Sequence, residues 1–145
     1  MKTQVLIVDD SEVYRLFLRN ALASVPDVEV VSVASNGRLA MPRVNHYKPD
    51  IVLLDYDMPE MDGLEAIPEI KRLSPKTRII MFSTHTTQGA KLTLKALNLG
   101  ADDFIAKPAG ALGGTLAEDL RSRLLERIRG FAPPPVARAP IEQQP

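Results

Sequence analysis

Four short apolar runs in this sequence each deliver a group able to do chemistry. "VLIV" (5–8) leads into Asp9 and Asp10, "IVLL" (51–54) into Asp55, "RIIMFS" (78–83) closes on Ser83, and "DFIA" (103–106) precedes Lys107. As strands of one sheet, these runs would gather three carboxylates, a hydroxyl and an ammonium group at one edge. Two unit charges about 4 Å apart repel by roughly 4 kcal/mol at an effective dielectric near 20, so clustered acids must be offset. A shared proton would do this, and so would a hard cation. Oxygen ligands with no His or Cys among them favour Mg²⁺. A carboxylate could then attack phosphorus while Ser83 and Lys107 bind phosphoryl oxygens. Singly, each residue has a plainer reading: Asp10 as a helix cap, Asp55 as the start of a turn before Met58-Pro59, Ser83 as a loop hydroxyl, Lys107 as a solvated lysine. Their shared placement at strand ends argues for a site.

The elements that must position these groups follow from periodicity. "VLIV" is a buried-strand pattern, and Val13, Leu16, Phe17, Ala21 and Leu22 recur at helical spacing after the capping residue Ser11. "VEVVSVA" (28–34) is a second strand, followed by a helix to about Tyr47 in which Pro42 marks a kink or a late start. After "IVLL", Asp62 and Glu65 form a capping pair for a helix to Leu73, with Pro68 tolerated near its first turn. "RIIMFS" precedes a helix from about Thr87 to Leu99, carrying Ala90, Leu94, Leu97 and Leu99 and stopped by Gly100. "DFIA" precedes a last helix that Thr115 and Glu118 open as a capping box, that runs to about Arg129, and whose core stripe is Leu116, Leu120, Leu124 and Ile128. Five strands alternating with five helices predict an α/β fold with a parallel sheet covered on both faces. The open doubly wound form places its site outside the carboxyl ends of the strands.

Composition narrows the function classes. The 145 residues carry 18 basic and 18 acidic side chains, so nothing in the bulk charge points to nucleic acid or an anionic membrane surface. The absence of cysteine excludes disulfides, thiol nucleophiles and cysteine-rich zinc sites. No run approaches the roughly 18 apolar residues of a membrane span, and the N-terminal apolar stretch is too short for a signal peptide, so a cytoplasmic protein is expected. Residues 1–130 read as one domain. Residues 131–145, rich in proline and without an apolar face, read as a linker to a further effector domain or as a free tail.

The blocks "VLIVDDSE", "IVLLDYDMPEMDG", "IIMFS" and "GADDFIAKP" resemble the signature of the response-regulator receiver domain of two-component signalling, in the right order over about residues 3 to 130. That resemblance implies a flavodoxin-like (βα)5 sandwich of strand order 2-1-3-4-5. It makes Asp55 the phosphoacceptor for a histidine kinase, Asp10 a direct Mg²⁺ ligand, Asp9 a ligand through water, and Asp57 a ligand through its backbone carbonyl. Ser83 matches the switch hydroxyl, Lys107 the lysine that meets the phosphoryl group, and Phe104 the aromatic that turns inward on activation. The Lys107–Pro108 bond is expected to be cis by the same resemblance, a cost of roughly 0.5–1 kcal/mol. Phosphorylation is expected to shift the surface built by strand four, helix four, strand five and helix five.

"STHTTQGAKLTLKALNLGADDFIAKP" further resembles the receiver of the chemotaxis protein-glutamate methylesterase, in which a linker joins the receiver to an esterase acting on chemoreceptor glutamates. The effector and, indirectly, the chemoreceptors are thus implied partners, with no nucleic acid and no membrane insertion. The chain departs from the whole family protein in having no Gly-x-Ser-x-Gly, and its only histidines are His46 and His85. The expected chemistry of this chain is therefore its own phosphorylation and dephosphorylation. A stand-alone receiver, or an interaction module not switched by phosphate, is the alternative. His85, two residues after Ser83, matches a position that tunes hydrolysis in the resembling family; an exposed loop histidine is the plainer reading.

Overall fold

The computed structural model describes residues 2–84, 89–108 and 112–131. His85, the expected start of the fourth helix at Thr87 and the tail from residue 132 lie outside them. The elements alternate without exception: β1 (Thr3–Val8), α1 (Glu12–Ala23), β2 (Val28–Ala34), α2 (Gly37–Tyr47), β3 (Ile51–Asp55), α3 (Gly63–Leu73), β4 (Arg78–Ser83), α4 (Gly89–Leu99), β5 (Asp103–Ala106) and α5 (Gly114–Phe131). All strand pairs are parallel, in the order β2-β1-β3-β4-β5. The flavodoxin-like topology is as expected.

Because successive side chains of a strand face opposite ways, the sheet sorts its residues into two cores. Leu6, Val8, Val52, Leu54, Ile79 and Met81 face Ala40 and Val44 of α2, Ala66, Ile67 and Ile70 of α3, and Ala96 of α4. Val5, Ile7, Ile51, Leu53, Ile80, Phe82 and Ile105 face Leu18 and Leu22 of α1 and Leu120, Leu124 and Ile128 of α5. Strands buried on both faces need apolar residues at every position, which is why β3 reads as an unbroken run. Each fully buried aliphatic side chain contributes about 1.5–3 kcal/mol of transfer free energy.

Three helix starts are capped as the sequence dictates. Ser11 Oγ accepts from the Tyr14 N–H, Asn36 caps α2, and Asp62 with Glu65 closes a reciprocal capping box on α3. The box expected at Thr115 and Glu118 is not formed, because α5 already begins at Gly114 and Thr115 lies within the helix. Pro42 does not delay α2, which starts at Gly37. Both Pro42 and Pro68 are the sixth residues of their helices, past the first turn, and each removes one i to i−4 hydrogen bond from a helix held by its packed face.

The predicted apolar faces are partly out of phase. In α4 the structure buries Leu92 and Ala96, while Leu94 is 62% exposed. In α5 it buries Leu120, Leu124 and Ile128 but leaves Leu116 exposed in the first turn. In α1 Val13 and Leu16 are exposed and Leu18 takes the core position.

Candidate functional site

Parallel register brings the strand ends together. Val8 pairs with Leu54, so Asp9 lies beside Asp55; Asp55 pairs with Phe82, and Ser83 with Ala106, which places Lys107 one residue further along the same edge. Alternation then decides the faces. Asp9, Asp55 and Lys107 continue the positions of Ile7, Leu53 and Ile105 and belong to the α1 and α5 side of the sheet. Ser83 continues Met81 and belongs to the other side, the side that Phe104 of β5 packs against.

Asp9, Asp10 and Asp55 converge, with one carboxylate oxygen of each within 4.8 Å of the others. Asp55 and Asp9 are 2% exposed, whereas Asp10 is open to solvent. Lys107 Nζ lies 2.9 Å from Asp9 Oδ2 and 3.0 Å from Asp55 Oδ1. Asp9 is pinned on its other side, Oδ1 accepting from the Ser11 N–H at 2.9 Å and its backbone carbonyl accepting from Arg15 Nη1 at 2.7 Å. Asp55 is less well served. Its Oδ1 is close enough to Lys107 for charge attraction, yet lies off the hydrogen-bond axis and accepts no hydrogen bond.

One ammonium cannot neutralise two buried carboxylates, and the titration of the groups follows from that. Burial pushes the Asp55 carboxyl up to about 7, with the Asp9 charge adding to the rise and Lys107 opposing it. Burial alone would lower the Lys107 ammonium, but Asp9 and Asp55 outweigh it and hold it above the ordinary lysine value. Lys107 is therefore charged across the working range while Asp55 sits at the edge of ionisation. An acidic, all-oxygen cluster with an orphaned buried carboxylate oxygen and surplus negative charge is a donor set that fits Mg²⁺.

The loop after β3 is held by close packing. A Cβ on Gly63 would come within 2.7 Å of the Asp55 carbonyl oxygen and 2.8 Å of Met81 Cε, so only glycine lets α3 start against the strand end. The Gly63 N–H donates to the Tyr56 carbonyl at 3.0 Å. Asp57, in this loop, is exposed, and its Oδ2 accepts from Thr84 Oγ1 at 3.5 Å. Ser83 is buried at the end of β4 and Phe104 is half-buried. The Lys107–Pro108 bond is trans, not cis as expected: among the described residues no peptide bond is cis. The trans form is the lower in energy, and with it Lys107 still reaches both carboxylates.

The response regulator receiver domain description matches residues 5–113. The chain belongs to this family. The receiver is 38% identical to the response regulator domain of Thermotoga maritima CheB, with a TM-score of 0.81 over 92% of this chain and 100% of that one. It is 31% identical to a chain in a CheX–CheY–BeF3–Mg complex from Borrelia burgdorferi, with a TM-score of 0.71 over 90% of each. Among curated proteins it is 46% identical to a protein-glutamate methylesterase/protein-glutamine glutaminase of Nocardioides sp. over 90% of this chain. It is 41% identical to another from Alkalilimnicola ehrlichii over 97% of this chain. The receiver spans 36% of the length of each of those two relatives. Among its described residues no helix is long and apolar enough to cross a membrane.

Two contributors were not visible in the sequence pattern. Tyr14 stands with its ring 4.1 Å from Lys107 Nζ, and Arg15 holds the Asp9 carbonyl. The apolar periodicity of α1 passes over both; the only signal is that they lie one turn beyond an acid pair that itself precedes a helix cap.

Proposed function

We propose that this receiver is a phosphorylation switch in which Asp55 accepts a phosphoryl group from a histidine kinase with Mg²⁺ bound by Asp10, Asp55 and the Asp57 carbonyl, and by Asp9 through water. The observation that carries this reading is the convergence of Asp9, Asp10 and Asp55 on one ammonium, with Asp55 the carboxylate left least satisfied. The ion supplies charge neutralisation, which favours the ionised, nucleophilic form of Asp55 and screens the incoming phosphate. A carboxylate oxygen of Asp55 attacks phosphorus, the P–N bond to the donor breaks and its nitrogen leaves, and an acyl phosphate of about −1.5 to −2 charge takes the place of the single carboxylate charge at the strand edge. Lys107 turns from carboxylate to phosphoryl oxygen, and the Ser83 hydroxyl moves to another. That draws in Phe104, which shares a face of the sheet with Ser83, and shifts the surface of β4, α4, β5 and α5. Leu94 and Leu97 of α4 and Leu116 of α5 are exposed apolar residues there.

The likeness to methylesterases makes a chemoreceptor glutamate methylesterase/deamidase domain the proposed effector, released when the receiver is phosphorylated. Titrating the full chain with a small phosphoryl donor or beryllofluoride in Mg²⁺ tests the switch. One phosphoryl group per chain by mass spectrometry, absent in Asp55→Ala, supports it; no modification of the wild type, or equal modification of the variant, refutes it.

A further inference from the structure

Lys107 has three N–H donors, and two sides of its nitrogen face Asp9 Oδ2 at 2.9 Å and Asp55 Oδ1 at 3.0 Å. A third is occupied by the ring of Tyr14, whose centroid lies 4.1 Å from Nζ, within range of attraction between a cation and the negative face of an aromatic ring. The ring is placed by the same few residues that build the acidic site. Asp9 Oδ1 accepts from the Ser11 N–H, Ser11 Oγ accepts from the Tyr14 N–H at 3.2 Å, and Arg15 returns to the Asp9 carbonyl. The first turn of α1 is thus tied to Asp9, and Tyr14 comes with it.

The tyrosine hydroxyl is buried without a hydrogen-bond partner. A buried, unpartnered hydroxyl is unfavourable, so it is not what keeps this side chain in place; the ring is, packed against the core on this face of the sheet and against its cation. We propose that Tyr14 is a positioning residue for phosphoryl transfer, its ring face holding the Lys107 ammonium between Asp9 and Asp55. The inference rests on Asp55 being the phosphoacceptor. An ammonium shared between two carboxylates has two resting places, and Asp9, at 2.9 Å and itself fixed by the Ser11 N–H and Arg15, is the better held. The ring blocks withdrawal from the third side and leaves a short swing from carboxylate to phosphoryl oxygen. Without it, Lys107 settles on Asp9 or meets water and must be brought back in every transfer.

The test uses the full chain with Tyr14→Phe and Tyr14→Leu. In the wild type and in Tyr14→Phe, the Cε protons of Lys107 are expected upfield by NMR from the ring current, and in Tyr14→Leu at the ordinary lysine position. With phosphoramidate and saturating Mg²⁺, Tyr14→Phe is expected within about twofold of the wild-type rate of Asp55 phosphorylation and Tyr14→Leu roughly tenfold slower. A wild-type rate in Tyr14→Leu, or no ring-current shift in the wild type, overturns the proposal. An equal loss in Tyr14→Phe also overturns it, assigning the work to the hydroxyl. If Tyr14→Leu does not unfold cooperatively, the wild-type shift and the Tyr14→Phe rate decide. Failure of the wild type itself to be phosphorylated counts against the phosphoacceptor reading, whereas a phosphorylated wild type with unaffected variants counts against Tyr14 alone.

Discussion

Replacing Asp55 with asparagine is expected to make the metal-free protein more stable as pH rises, although it removes one partner of an ion pair. The carboxyl titrates near 7 in the fold against an ordinary value of 3.8. Between those values the unfolded chain has released the proton and the folded chain still holds it, so raising the pH favours unfolding. The wild type thus loses stability from about pH 4 to pH 7, while asparagine, which does not titrate, is spared. At roughly 1.4 kcal/mol per pH unit the penalty approaches about 4 kcal/mol at pH 8, of which less than half is already present at pH 5. The advantage of Asp55→Asn should therefore grow by about 2–3 kcal/mol between pH 5 and pH 8, or roughly 6–15 °C in Tm for a domain of this size. Comparing the two pH values cancels the contribution of altered packing. The measurement is urea and thermal unfolding of both proteins in EDTA. Millimolar Mg²⁺ at pH 8 should narrow the gap, because the ion binds the folded wild type. A gap that is flat in pH, or that shrinks toward pH 8, would falsify the view that Asp55 is held in a charge-crowded, underneutralised site.

Lys107→Met removes the ammonium that pairs with both Asp9 and Asp55. A loss of about 3–5 kcal/mol is expected at pH 8 in EDTA, with phosphorylation abolished; an unchanged urea midpoint would mean that the ion pairs are not what offsets the buried charge. Gly63→Ala forces a methyl group against the Asp55 carbonyl and Tyr56 Cα, and should cost about 1–3 kcal/mol while displacing the backbone amide signals of residues 55 and 56. Wild-type stability and spectra in that variant would contradict the close approach of α3 to β3. Asp102 accepts from the Ile79 N–H at 2.9 Å and pairs with Lys71 and Arg78 at 3.2 Å each, so Asp102→Ala should lose about 1–3 kcal/mol by denaturant titration. Its phosphorylation rate should not move, since these bonds tie the opposite end of the sheet; a slower rate would count against a purely structural role.

The parts of this molecule that are legible in its sequence are those fixed by parity and register. A strand exposes every second residue to the same face, and parallel pairing carries that choice from one strand to the next, so Asp9, Asp55 and Lys107 could be grouped before any coordinates. Applied strictly, the same rule separates Ser83 from them, since it follows Phe82 and shares the face of Phe104; grouping by strand ends alone overlooks that. Helix faces are less determined. The segment of α4 carries a wide apolar arc, with Lys91, Lys95 and Asn98 sharing the remaining side, and more than one phase satisfies its periodicity. The choice of Leu92 and Ala96 over Leu94 and Leu97 is made by the sheet it packs on, where a small residue permits close approach. The Thr115 and Glu118 pattern misleads for a related reason: a capping box and two ordinary helical residues have the same spacing, and only the path of the chain through Gly114 distinguishes them.

Tyr14 marks where local reasoning ends. Its contact with Lys107 joins residues 93 positions apart and depends on how α1 crosses the sheet, a consequence of packing Leu18 and Leu22 against the strands rather than of anything written near residue 14. The acids could be read as a site because each is placed by its own strand. The group that steadies their lysine could not, because it is placed by a helix whose angle the whole core decides. A second layer of residues around a legible site is therefore where a structure adds most, and in this receiver that layer enters from the first turn of α1.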